Sequence, residues 1–440
     1  MVRSVRRVLL TSLLLFFLGF CLRAGIVIVG KLYLTIDSAE MTSAAETLAR
    51  TGTLGNPFGG DTGPTAHMGP LYPFLLSLIY RAAGSMENGE LPKELFSCAI
   101  SAILYALLPW LAFTLELPVA DGVLAGLIGE CIPLALWIET KGTWDTALTG
   151  LFLVVLLGWT AWIWRKSLFP SWSYGFTWGA AMLTCPTLLS ALLVWLAVLF
   201  VGAGWKRPRL AVLKVLAGVA LITAPWIARN YVELGTISWL RDNLGLELSV
   251  SNNDDAEPRL EQNVNTRFFK DNHPHNNPIV MARIREIGEP AYSREQGERA
   301  ANWIRSHPAR FFQLTATRIW LTWFPVRAHW LDTGFEALLT IGGGVGFWLL
   351  GRNRYVLFLV GSLFLAFPLV YYLVESDMRY RFPVRFVLLL MCAVALLRFM
   401  PFLKPPLAWF ETQPEKRLRH TPTTEQNPVA TAKSDLPIAR

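Results

Sequence analysis

Three features of the 440-residue chain predict an all-α integral membrane fold of about ten transmembrane helices, with juxtamembrane helices on the outer face. Hydrophobic residues make up 53% of the chain and charged residues only 16%, where a soluble protein carries about 25%. Mean hydropathy is +0.39, concentrated in runs long enough to cross a bilayer. The 18 tryptophans fit as well, because indole rings settle at the lipid headgroup level.

The N-terminal stretch MVRSVRRVLLTSLLLFFLGFCLRAG has the basic start and apolar core of a signal peptide. It lacks a clear A-x-A site, and Phe20 before Cys21 spoils a lipoprotein box, so 8–29 reads as an uncleaved first span. Further apolar runs lie at 94–113, 119–138, 144–164, 210–228, 333–350, 354–374 and 383–400. The run 172–203, with TCPT at 184–187, is too long for one upright span and short for two.

Charge decides the topology. Arg3, Arg6 and Arg7 put the N-terminus in the cytoplasm, and Arg165 and Lys166 follow the fourth span on that side. Lys206, Arg207 and Arg209 join them only if 172–203 crosses twice. Two crossings also bring Arg352, Arg354 and the tail residues Lys404, Lys416, Arg417 and Arg419 inside. Residues 1–400 then form the transmembrane domain, with outer loops at 31–92 and 229–332. Residues 401–440 form a cytoplasmic tail, rich in Thr, Pro and charges from 411 onward and expected to be disordered.

The net charge of +8 is scattered in short clusters between apolar runs, which argues against nucleic acid as a partner. Cys21, Cys98, Cys131, Cys185 and Cys392 all lie in apolar runs without a CxxC pair, as small buried hydrophobes do. No internal repeat is visible, which weakens a transporter reading. In the second outer loop, SNNDDAEP and DNHPHNNP are turn-rich, and HPH at 273–275 reads as a solvated turn. A helix is expected at 290–305. Another starts at SHP (306–308), and its one-sided apolar pattern suits the membrane interface.

The segment DSAEMTSAAETLARTGTLGNPFGGDTGPTAHMGPLYP (37–73) follows the first span directly. A helix is expected from Ser38 to a Gly52 cap and another over 70–84, joined through the Gly/Pro loop 55–64. Asp37 and Glu40 stand three residues apart at the membrane exit, where a carboxylate can take a proton from an incoming hydroxyl or amine.

This segment resembles the first outer loop of GT-C class integral-membrane glycosyltransferases, in particular the family 39 branch of protein mannosyltransferases and aminoarabinose transferases. The resemblance rests on an acid after span one, the A-x-x-L-A-x-x-G-x-x-x-x-P-F stretch and GPTA…PLYP. It continues in order through TCPTLLS (184–190), APWIARNYVELG (224–235), NLGLELSVSNN (243–253), EPAYSREQGERAANWIRSHPARF (289–311) and YYLVESDMRYRFPV (371–384). It implies inverting transfer of a sugar from a polyprenyl-phosphate carrier to a lipid, protein or glycan acceptor. The site would lie on the outer face of a bacterial cytoplasmic membrane. By this resemblance Glu40 is the base, with Asp37 a close rival for that role. The family carries an aromatic where His67 or Met68 stands; His67 and Tyr72 of PLYP join the candidate substrate-binding residues. Some relatives hold a metal near the acid, so a divalent metal stays an open expectation and no metal ligands are assigned.

Other residues follow from their setting. Arg23, costly inside the first span, calls for a phosphate or an acid from a neighbouring span, or snorkels to the outer interface. Glu139, Lys141 and Asp145 form a short outer cluster of ions at the interface; the family resemblance implies that it borders the active cavity, with Asp145 the candidate contact to substrate. Arg379 and Arg381 at the outer end of the last span match phosphate geometry, and Arg229 with Asn230 is a second such pair. A transporter or lipid-linked glycan flippase is the rival function, and a non-catalytic assembly protein the third.

Overall fold

The computed structural model describes residues 2–36, 39–132, 135–202, 207–275, 277–351 and 354–410. Asp37, Lys206, Arg352 and the tail from 411 lie outside the described residues. Among the described residues helices dominate, and pairing between extended segments is confined to single bridges at Gly55–Pro64 and Arg259–Ser376.

The chain is a multi-pass membrane fold. Among the described residues, five helical stretches are long and apolar enough to cross: Arg6–Val29, Met86–Thr114, Thr146–Lys166, Pro208–Leu234 and Met378–Phe399. Three shorter apolar stretches accompany them: Leu71–Ala83, Pro186–Gly202 and Tyr355–Leu369. The expected ten spans thus resolve into five full-length and three short stretches, and local breaks explain the difference. The run 119–138 divides into α6 (Val119–Cys131) and α7 (Leu136–Lys141). The 13 residues of α6 rise about 20 Å, short of a bilayer core of about 30 Å. The helix Trp330–Leu349 is long enough but carries Asp332 and Glu336.

The first helix, α1 (Val2–Val29), leads into the segment expected to face outward, where α2 (Glu40–Thr51) and α3 (Leu71–Ala83) pack on each other. Gly52 and Gly84 end them with φ of 81°, a left-handed backbone that glycine adopts without strain. The next helix, α4 (Met86–Ala106), begins eight residues before the expected span and continues through α5 (Leu108–Thr114). After α8 (Thr146–Lys166) the run 172–203 folds into a hairpin of α9 (Trp172–Thr184) and α10 (Leu189–Gly202). Pro186, lacking an N–H, sits at the break. Both hairpin ends lie beside the end of α8: Tyr174 Oη meets Thr160 Oγ1 at 2.8 Å, and Gly202 abuts the Trp164 ring.

Beyond α11 (Pro208–Leu234) the second outer segment folds as a helical cap of α12 (Leu244–Ser251), α13 (Leu260–Asn263), α14 (Arg267–Asn272), α15 (Pro278–Ile287), α16 (Glu289–Ser306) and α17 (Pro308–Trp323). Its small core of Leu246, Val250, Val280, Ile284 and Tyr292 takes in Phe58 from the first outer loop. The two outer segments are therefore one body. The chain closes with α18 (Trp330–Leu349), α19 (Arg354–Leu365), α20 (Met378–Arg381) and α21 (Arg385–Phe399). Gly343 and Gly346 let α18 pack directly against the α21 backbone near Leu388 and Met391.

Beneath the outer segments the helices bury charged groups that meet one another. Arg23 is fully buried and pairs with Glu130 at 2.5 Å and Glu139 at 2.8 Å, while Tyr105 donates to Glu139 at 3.1 Å. Arg381 and Arg385 both approach Glu336, at 3.2 and 3.5 Å. In a membrane interior such groups persist when each is matched by an opposite charge.

Candidate active site

The polar segment after the first span builds the wall of a cavity of about 810 Å³. In the 55–64 loop, Asn56 Oδ1 accepts from the N–H of Thr62 and Gly63 at 3.0 and 2.8 Å, closing the turn. Thr65 Oγ1 and the Ala66 N–H then donate to Glu289 of α16 at 2.5 and 2.7 Å. Arg229 of α11 donates to the Thr65 and Leu54 carbonyls at 2.8 and 2.7 Å. These ties fix His67, whose carbonyl accepts from Arg241 Nε at 3.1 Å and whose ring packs edge-on against Phe58.

His67 Nε2 meets Glu40 Oε2 at 3.4 Å and Glu247 Oε1 at 3.9 Å. Glu40 opens α2 at its N-terminus, where helix dipoles favour a carboxylate. Burial works to raise its pKa, but His67, with Arg379, overrides this and holds the carboxyl well below its ordinary range. For His67, burial lowers and Glu40, Glu247 and Glu289 raise, with a net push up to about 9. The pair is ionised at neutral pH.

Asp145 stands at the start of α8, facing the same cavity, and among the described residues its Oδ2 has no hydrogen-bond partner. Burial raises it to about 6 against the pull of Arg241 and Arg379. The Arg379 guanidinium lies 3.9 Å from the Trp144 ring centroid and is steadied by Asp377 at 3.0 Å. Stacked Tyr371 and Tyr380, with centroids 4.3 Å apart, form another wall.

The candidate residues divide cleanly. Glu40, Asp145 and Arg379 line the cavity and His67 stands behind Glu40. Arg381 is turned away, buried on Glu336, Thr340 and the Trp323 carbonyl. Arg229 and Asn230 brace loops, Asn230 donating to the Ser238 carbonyl at 3.1 Å. Tyr72 donates to the Gly142 carbonyl at 2.6 Å, holding the turn that leads to Asp145. Arg23 meets its acids below the cavity, and Asp37 lies outside the described residues.

Sequence reasoning missed Arg241, Glu247, Glu375 and His273, all in the cavity wall. Glu247 is a lone acid in an apolar stretch, and that isolation was its signal; Glu375 stands where an apolar run meets the charged SDMRYR stretch. The HPH turn is not solvated at His273: its ring is buried, stacks on Phe269 at 4.4 Å and places Nε2 3.9 Å from Glu40. Burial holds His273 down at about 4, and it is neutral.

The donor set was also weighed for a divalent metal. Among the described residues no group of three or more His, Cys, Asp or Glu side chains is placed to hold one. Glu40 and His67 close on each other as an ion pair, and a protonated imidazole has no lone pair to give. The described side chains form no metal site by themselves, and Asp37, three residues from Glu40, lies outside them.

The fold and this cavity define an all-α, multi-pass membrane architecture with a polar site above its helices. Among solved structures the chain is similar to the oligosaccharyltransferase AglB of Archaeoglobus fulgidus in three states. The apo form matches at TM-score 0.54 and 14% identity, covering 93% of this chain and 52% of that one. A complex with Zn and sulfate matches at 0.52 and 15%, covering 91% and 50%. A complex with an inhibitory peptide and a dolichol-phosphate matches at 0.52 and 13%, covering 92% and 52%. At this identity the likeness shows the fold, and the chain spans about half the length of those proteins. No family model and no curated protein matches the sequence.

Proposed function

We propose that the protein is an inverting glycosyltransferase. It moves a sugar from a polyprenyl-phosphate carrier to an acceptor at the outer face of a bacterial cytoplasmic membrane, in the manner of the family 39 branch of the GT-C class. The observation that carries the reading is one cavity in which a partner-free carboxylate oxygen of Asp145 and the stacked guanidinium of Arg379 face common space. Binding of dolichol-phosphate by the similarly folded oligosaccharyltransferase supports the donor class.

In this mechanism the acceptor oxygen attacks the anomeric carbon from the face opposite the phosphate. The carbon–phosphate-oxygen bond breaks and its electron pair leaves on the phosphate, whose charge Arg379 neutralises. The acceptor proton passes to Asp145. A base works best with a pKa near the operating pH, which suits Asp145 better than Glu40, kept ionised by His67. Glu40 then orients the acceptor by accepting its hydrogen bonds. Asp37 remains the other candidate base.

Membranes from cells with and without the gene, given a panel of labelled polyprenyl-phosphate sugars, test the reading. Gene-dependent release of polyprenyl phosphate is expected, abolished by Asp145→Asn. No gene-dependent consumption of any donor sinks the proposal.

A further inference from the structure

A second cavity of about 420 Å³ adjoins the first and shares Trp144, Leu260 and Arg379 with it. The two differ in chemistry. The smaller is lined by four arginines, Arg259, Arg327, Arg379 and Arg381, the last already held by Glu336, against two acids, Glu261 and Asp377. The larger is lined by four carboxylates, Glu40, Asp145, Glu247 and Glu375, against Arg241, Lys270 and the shared Arg379. Arg379, flat on Trp144, is the partition between a cationic and an acidic chamber.

Each chamber has its own apolar mouth. The smaller opens past Trp137 and Val326, which are 45% and 53% exposed. The larger opens past Trp239, Leu244 and Val370, which are 46%, 51% and 39% exposed. This second mouth stands just beyond the ends of two apolar helical stretches, Pro208–Leu234 and Tyr355–Leu369. It therefore sits where the bilayer core gives way to headgroups, the level that tryptophan favours. Exposed Ile237 and Leu369 extend the apolar surface from these helix ends to its edge. A water-soluble acceptor such as a loop of a secreted protein has no use for such an edge. A molecule with a polar head and an acyl or prenyl tail fits it, the head among the carboxylates and the tail leaving past Trp239 and Leu244.

We infer that the acceptor is a membrane lipid with a hydroxyl- or amine-bearing head group, which enters the acidic chamber laterally through the Trp239–Leu244–Val370 mouth. The carrier phosphate lies against Arg379 from the cationic side. This rests on the glycosyltransferase reading and names the acceptor class for it. The chemistry balances: the lipid head gains the sugar through a new C–O or C–N bond, the carrier leaves as polyprenyl phosphate, and the proton goes to Asp145.

The test uses the full chain in vesicles of total lipid from the source membrane, with the same labelled donor panel. The expected product is a new organic-extractable lipid whose label survives mild acid, which releases sugars from polyprenyl phosphate. Donor consumption with the label in protein, soluble glycan or free sugar overturns the lipid acceptor and leaves the transferase standing. If no donor is consumed, the transferase reading falls and the acceptor assignment falls with it.

A second measurement addresses the mouth. Leu244→Glu and Val370→Glu should each raise the apparent KM for the lipid acceptor about tenfold, as expected for losing a Leu-sized apolar contact, and leave the KM for donor in place. Unchanged acceptor KM in both, at normal protein levels, overturns the mouth assignment.

Discussion

Two groups of charged residues lie one above the other, and the same residue types do opposite things in them. In the lower group Arg23 is shared by Glu130 and Glu139, and Glu336 by Arg381 and Arg385, all buried within the helices. In the upper group Asp145 keeps an oxygen without a partner, and Arg379 is stacked over an aromatic ring and faces two chambers. An Arg in this protein is structural when its partners are already present, and available for chemistry when one direction is left open.

The largest effect expected from breaking that contrast is Asp145→Asn. It should lower kcat about a hundred- to ten-thousandfold, as removal of a general base does, with thermal stability close to wild type. Retained turnover would return the base role to Glu40 or Asp37. Next comes Arg23→Met, which strands two buried carboxylates and should cost about 3–5 kcal/mol of stability. Denaturant or thermal unfolding in detergent reads it, and Glu139→Gln added to Arg23→Met should recover part of the loss. Activity per folded molecule should survive, which separates this site from the cavity.

A finer comparison uses the two neighbouring arginines. Arg379→Ala should weaken carrier binding about ten- to a hundredfold, the worth of one charge-assisted hydrogen bond of about 1.5–3 kcal/mol. Arg381→Ala should lower stability and leave carrier affinity unchanged. The reverse outcome would move the phosphate to Arg381.

The smallest expected effect is on pH dependence. Asp145 must be ionised to act, so the rate should fall as pH drops through about 6, and Glu40→Gln should leave that limb in place because burial, opposed by Arg241 and Arg379, sets it. His67 gains from Glu40 only when protonated. With its folded pKa raised to about 9 from 6.5, that stabilisation is complete below about 6.5 and is lost as pH rises through about 9. Glu40→Gln should therefore move an alkaline limb in the pH–rate or pH–stability profile toward neutrality, and an unmoved limb would break the pairing.

The helices of the fold were legible because apolar runs and cap residues are local signals: Gly52 and Gly84 end α2 and α3 where their sequence context predicts. Span number was less so, because breaks such as Cys185–Pro186 and the gap between α6 and α7 shorten helices without lowering hydropathy. In the site, Glu40 and Asp145 could be read from their places after apolar runs. The commitment of Arg381 to Glu336 could not, since the two lie 45 residues apart and meet only when α18 packs on α21. His273 was misread because the Pro and Asn beside it signal a turn, and a turn signal does not say whether the turn is buried by a neighbouring helix.

The wall between the chambers, one guanidinium laid on one indole, also matters for how such a protein could be re-engineered. Each side also has a stretch of chain the other does not use: Trp239–Glu247 on one, Leu321–Arg327 on the other. Each side can thus be redrawn while the partition is kept. A library confined to residues 239–247 would change what receives the sugar, and one confined to 321–327 would change what delivers it.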